Sequence, residues 1–138
     1  MALDKDNAIR VSKTFTSPVE KVYAVCADED FFDFCGVDLD TGTYDFRVGG
    51  SYSYTVDETD FVKGQFREIV PNERLAFTWD TMGLDAPTGE TVVVLTFASS
   101  PAGCVVELEH TGIKHRKTAK AHEAAWIEIL EAISEDLG

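Results

Sequence analysis

A chain of 138 residues with 44% hydrophobic and 11% aromatic side chains can bury roughly two thirds of its surface as one domain over 1–138, which excludes disorder beyond the opening MALDKDN. Twelve basic against 25 acidic residues give a formal charge of −13, which repels phosphate backbones and anionic lipid surfaces and argues against a nucleic-acid partner. No apolar run is long enough to span a bilayer and no basic segment with an apolar h-region opens the chain, so the expectation is a cytoplasmic protein without membrane insertion.

The first strand is AIRVSKTF, in which Ile9, Val11, Lys13 and Phe15 alternate with Arg10, Ser12 and Thr14. A helix start follows. In TSPVEKVYAVCA, Ser17 is placed as N-cap, Pro18 as the first helical residue and Glu20 as the partner in an S-x-x-E capping box. Val19, Val22, Tyr23 and Cys26 then share one face. ADEDFFDFCG predicts a second short helix, capped by Asp28 and stopped at Gly36. Its Phe31, Phe32 and Phe34 exceed one narrow stripe, so they either plug the end of a larger structure or face a cavity or partner.

From 38 to 112 the chain predicts six successive strands. In DFRVGGSYSYTV, Tyr44, Phe46 and Val48 share one face before Gly49-Gly50, and Tyr52, Tyr54 and Val56 share one after. The two glycines suit a two-residue primed turn. Pro71 is placed for position i+1 of a type I turn between FVKGQFREI and RLAFTWD. Leu75, Phe77 and Trp79 then lie on one face, and Val93, Leu95 and Phe97, then Val106, Leu108 and His110, continue the apolar side. The meander predicts an antiparallel sheet with one buried face.

The final segment changes period. His122, Trp126, Ile129, Leu130, Ile133 and Leu137 form one helical stripe, whereas Lys120, Glu123, Glu128, Glu131 and Glu135 lie away from it. The expected architecture is therefore α+β: a curved antiparallel sheet of about seven strands wrapped around a long C-terminal helix, with two short helices after the first strand.

The RVGGSYSY hairpin, GQFREIVPNERLAFTW, LEHTGI and a Trp-containing C-terminal helix, in that order, resemble the START-like superfamily, and within it the branch homologous to the activator of the heat-shock protein 90 ATPase. The resemblance runs from about Ile9 to Leu137. It implies a helix-grip fold, in which the helix closes a cavity against the sheet, and binding of a hydrophobic small molecule. A protein-binding role related to chaperone activators, or an enzyme acting on a cavity-bound substrate, are the alternatives that it brings. Relatives commonly carry tryptophan after the second short helix, where this chain has FFDFCG.

Candidate ligand-binding residues follow from the inner faces. Tyr44, Phe46, Tyr52, Tyr54, Phe66, Phe77, Trp79, Phe97 and Trp126 either line an apolar pocket or fill a solid core. His110 and His122 are the two inward imidazoles, either orienting a ligand or bonded within the structure, whereas His115 sits in the charged KHRK turn. Cys26, Cys35 and Cys104 lack C-x-x-C spacing and read as reduced, mostly buried thiols. There is no nucleophile elbow, phosphate-binding loop or metal-ligand spacing, so neither catalytic residues nor a cofactor or metal are expected.

Overall fold

Alternation along the chain sets the first strand. In β1 (Ile9–Phe15), Ile9 and Phe15 are buried and Arg10, Ser12 and Thr14 exposed, as a period of two requires. The computed structural model describes residues 8–56, 60–82 and 87–137. Helix α1 (Val19–Cys26) starts one residue later than the sequence predicts. Pro18 itself is the cap, its extended backbone (φ −67°, ψ 156°) presenting its carbonyl to the N–H groups of Lys21 and Val22. That shift leaves Ser17 outside hydrogen-bonding register, and the expected capping box of Ser17 and Glu20 does not form.

Helix α2 (Asp30–Phe34) is short, and a carboxylate oxygen of Asp28 accepts the Asp30 N–H at 3.0 Å. Gly36 follows it with φ +88°. Phe31 and Phe32 are buried while Phe34 is half-buried. Of the two readings of this aromatic run, the structure takes the plug.

Strands β2 (Asp38–Tyr44), β3 (Ser51–Thr55), β4 (Phe61–Val70), β5 (Arg74–Thr81), β6 (Thr91–Ser100) and β7 (Gly103–Thr111) are antiparallel neighbours, and β1 pairs with β7. The sheet order is β1-β7-β6-β5-β4-β3-β2. Register breaks between Asp38 and Thr43 in β2 and between Phe66 and Glu68 in β4 curve the ribbon. Helix α3 (Arg116–Leu137) lays His122, Trp126, Ile129, Leu130 and Ile133 into the concave face. Seven antiparallel strands gripping one long helix are the helix-grip fold.

Two turns depart from expectation. Tyr44 pairs with Tyr52, so 45–50 form the β2–β3 connection and no two-residue turn exists. Here the Gly49 N–H donates to the Phe66 carbonyl at 2.8 Å and the Phe66 N–H to the Gly50 carbonyl at 2.9 Å, which folds the loop onto β4. Phe46 and Val48 consequently leave the strand; Phe46 packs on Tyr44 and Phe66, and Val48 is exposed. At the β4–β5 turn, Asn72 has φ +63° and the Glu73 N–H donates to the Val70 carbonyl at 3.0 Å. That is a type II turn, because asparagine tolerates the left-handed region at i+2.

One glycine decides how the sheet packs. Gly64 of β4 stands opposite Tyr52, and a Cβ there would lie 2.0 Å from the Thr78 carbonyl oxygen and 2.8 Å from the Tyr52 ring. The bare position lets the Tyr52 hydroxyl cross β4 and donate to the Thr78 carbonyl at 2.7 Å. Gly64→Ala is expected to cost about 2 kcal/mol or more, by displacing that buried hydrogen bond and crowding the strand. Urea denaturation checks it: a midpoint equal to that of the parent chain would show the neighbourhood to be pliable.

Candidate ligand-binding site

The aromatic residues proposed from sequence, Phe97 excepted, fall into two groups. Phe32 of α2 is the hub of the first, stacked on Tyr52 at 4.4 Å between centroids and in contact with Tyr44, Tyr54 and Phe77. Phe66 joins the same cluster through Tyr44, Phe46, Tyr52 and Phe77. Ring meets ring with hydroxyls turned to the protein: Tyr44 donates to the Ala27 carbonyl at 2.6 Å and Tyr54 to the Glu29 carboxylate at 2.9 Å. Burial raises the pKa of Tyr44, Tyr52 and Tyr54 above the ordinary value, with neighbouring negative charge adding at Tyr44 and Tyr54. Phe97 sits apart from this cluster, edge-on to Tyr23 of α1.

Trp79, His122 and Trp126 make up the second group and border a pocket of about 200 Å³ between α3 and the ends of β3, β4 and β5. Trp79 and Trp126 lie 4.9 Å apart between centroids, tilted by 60°. Val37, Val56, Val62, Met82 and Ile129 complete an apolar lining, and Cys35, Asp60, Thr81 and Ala125 complete the rim and wall. The stripe His122, Ala125, Trp126, Ile129 is the i, i+3, i+4, i+7 pattern of one helix face, so Ala125 was findable from sequence. Alternation places Val56 on the face of Tyr52 and Tyr54, whereas no such signal marks Asp60 or Met82, which reach the pocket where two adjacent hairpin ends converge. A wider depression of about 490 Å³ lies elsewhere, bordered by Arg10, Ser12, Arg74, Thr96, Glu107 and Glu109. It is a polar surface hollow whose Arg10 is paired with Glu109 at 3.0 Å, so it offers little for an apolar ligand.

His110 stands behind this pocket, and the two imidazoles are locked into one hydrogen-bond chain. The Trp126 indole N–H donates to His110 Nδ1 at 3.0 Å. An accepting Nδ1 fixes the proton on Nε2, which donates to Thr91 Oγ1 at 2.7 Å. The Thr91 hydroxyl passes its own proton to the Trp79 carbonyl at 2.6 Å. The Trp79 indole N–H in turn donates to His122 Nε2 at 3.2 Å, so His122 Nδ1 carries the proton given to the Thr118 carbonyl at 3.0 Å. Every nitrogen of both rings is occupied while both are neutral.

Burial, and then the neighbouring His122, pulls the His110 pKa down to about 3. Burial also lowers His122, opposed by its bond to the Thr118 carbonyl. Neither imidazole has a free lone pair for acid or base work at neutral pH. The thiols are equally quiet: burial, then Cys104, pushes Cys26 up to about 12, and burial, then Cys26, raises Cys35 as well. Among the described residues no cluster of His, Cys, Asp and Glu could hold a metal ion, and no helix is long and apolar enough to cross a membrane. What the site offers is shape and apolar surface.

Comparison with known proteins bears on the family and the fold. Residues 16–138 match the family described as activator of Hsp90 ATPase homolog 1-like protein. The fold is shared with crystal structures of MLL2253 from Mesorhizobium loti (TM-score 0.79, 19% identity, 94% of this chain and 96% of that one) and CV1439 from Chromobacterium violaceum (0.77, 22%, 94% and 95%). A third, the AHSA1 protein SPO3351 from Silicibacter pomeroyi, superposes with TM-score 0.78 at 22% identity over 94% and 96% of the two chains. No curated protein matches the chain. With its family match covering all but the first strand and its neighbours sharing the helix grip, the chain belongs to the activator of Hsp90 ATPase homolog 1-like family, within the START-like superfamily.

Proposed function

We propose that this protein binds a small, predominantly apolar molecule in the pocket between α3 and the β3–β5 end of the sheet. One observation carries the reading: tryptophan, valine, isoleucine and methionine side chains surround a gap that the aromatic plug leaves unfilled. At about 200 Å³ it is smaller than the roughly 300–1,000 Å³ of pockets for drug-sized ligands, so its occupant is of single-ring or short-chain size. Of the residues proposed from sequence, Trp79, His122 and Trp126 would touch the ligand. His110 would hold Trp126 in place, and the Tyr44, Phe46, Tyr52, Tyr54, Phe66 and Phe77 rings would form a rigid wall behind, with Phe97 more remote.

The chain's two tryptophans both border the pocket, so intrinsic fluorescence reports on occupancy. Titration with a panel of small lipophilic compounds should give saturable changes in emission, and a ligand at about a hundred times its Kd should add about 2.7 kcal/mol to stability. Ala125→Leu, which extends a side chain into the opening, is expected to weaken binding at least about tenfold, or about 1.4 kcal/mol, with little loss of stability. A folded Ala125→Leu protein with unchanged affinity would place the ligand elsewhere. Silence across a chemically broad panel would end the proposal.

A further inference from the structure

The two tryptophans that border the pocket each have their one polar atom held by a histidine. The Trp79 indole N–H donates to His122 Nε2 at 3.2 Å and the Trp126 indole N–H to His110 Nδ1 at 3.0 Å. Indole has a single donor and no acceptor, so once that donor is taken the ring offers a ligand only carbon. The other side-chain donors are committed in the same way: the His122 N–H to the Thr118 carbonyl, and the Thr81 hydroxyl to the Phe61 or Met82 carbonyl. Cys35 and Met82 contribute sulfur, which hydrogen-bonds weakly. Among the described residues the lining has no lysine or arginine, and its carboxylate, Asp60, already has an interaction of its own.

We infer that His110 and His122 set the class of ligand: by engaging both indole N–H groups they leave the pocket a surface of carbon and sulfur, which selects an uncharged, hydrocarbon-like molecule. This rests on the binding reading above and adds to it what the ligand must lack and which residues enforce that. A hydroxyl, amine or carboxylate entering the gap gives up its water and meets no strong uncommitted side-chain partner among the described residues. Burying a polar group on those terms is penalised, and an ion most of all. A ligand that took an indole N–H for itself would strand the imidazole nitrogen that now accepts it, so the exchange gains nothing. His110 and His122 are 0% and 1% exposed, so neither stranded nitrogen would meet bulk water. Both histidines are therefore positioning residues, acting on the ligand through the indoles.

Four probes built on one ring separate the possibilities: toluene, benzyl alcohol, benzylamine and benzoate, titrated by calorimetry and tryptophan emission. Toluene is expected to bind at least about tenfold tighter than the alcohol, with the two ions weaker again. Proton NMR of the native chain gives a second reading, since both indole N–H signals should stay protected from solvent exchange with and without ligand. In His122→Ala, which leaves the Trp79 N–H without its acceptor, toluene and the alcohol should bind within about threefold of each other. His122→Gln, which returns an acceptor, should restore the discrimination. Alcohol or ion affinity equal to that of toluene, or an indole N–H that exchanges like an exposed one, overturns the inference while the binding reading stands. So does an undiminished toluene preference in folded His122→Ala. The native titrations and exchange rates decide the matter if that variant does not fold. If none of the four probes binds, the inference falls, and the binding reading falls with it only when the broader panel is silent too.

Discussion

Phe32→Ala is expected to lower the stability of the folded chain by about 3–5 kcal/mol, the usual cost of emptying a buried aromatic site. At this chain length that is a fall of more than about 10 °C in Tm. The size of the effect follows from position. Phe32 is 2% exposed and touches rings from α2, β2, β3 and β5, so its loss opens a void bounded by several elements at once. The bounding rings cannot simply collapse inward, because Tyr44, Tyr52 and Tyr54 are each tethered by a hydroxyl hydrogen bond. Phe34→Ala, at the half-buried end of the same helix, should cost less than half as much. Similar losses in the two variants, by thermal or urea unfolding, would show that the plug is not centred on Phe32.

Acid should destabilise the protein well above the range in which its carboxylates titrate. In the unfolded chain His110 takes up a proton near pH 6.5, but in the folded chain only near 3, so the unfolded state binds more protons throughout that window. Stability contributed by the neutral ring is therefore complete above about pH 6.5 and falls as the pH drops towards 3. At pH 5 the loss from His110 amounts to about 2 kcal/mol. His122, shifted in the same direction, adds to it. Structurally, a proton on His110 Nδ1 turns the acceptor for Trp126 into a second donor and breaks the chain of bonds at its centre. Urea midpoints at pH 7.5 and 5.0 should differ clearly in the native protein and by less in His110→Asn, which has no imidazole to titrate there. Parallel pH profiles for the two would rule out His110 as the source.

The reach of sequence reading differs between fold and site for physical reasons. Alternation identifies faces, and Leu75, Phe77, Trp79, Val93, Leu95, Val106, Leu108 and His110 are all buried where the period of two places them. The helical stripe of α3 is likewise visible from spacing alone. Face assignment does not report depth or neighbours. Tyr52 and Trp79 both point inward, yet one is sealed under Phe32 and the other borders a gap, a difference set by sheet curvature and by where hairpins end. Hydrogen bonding is less legible still. His122 and Trp126 share a helix face, but their bonds run crosswise, to Trp79 on β5 and His110 on β7. The boundary at Ser17-Pro18 and the Gly49-Gly50 loop depart from expectation because contacts made elsewhere, such as the Phe66 backbone bonds, outweigh a local turn preference.

The pairing of β1 with β7 also constrains how the molecule comes into being. Ile9 lies opposite His110, so the earliest strand waits for the last one before it has any partner in the sheet. During synthesis the hairpins β3–β4 and β4–β5 can form as they emerge, but the β6 edge stays uncovered until β7 arrives. Closure then requires a contact spanning most of the chain, which makes it the slow, entropically costly step of assembly. Ribosomal stalling before residue 103 would therefore leave an emerged chain with two unsatisfied strand edges and no helix to cover its aromatic face, the state in which it is most exposed to aggregation.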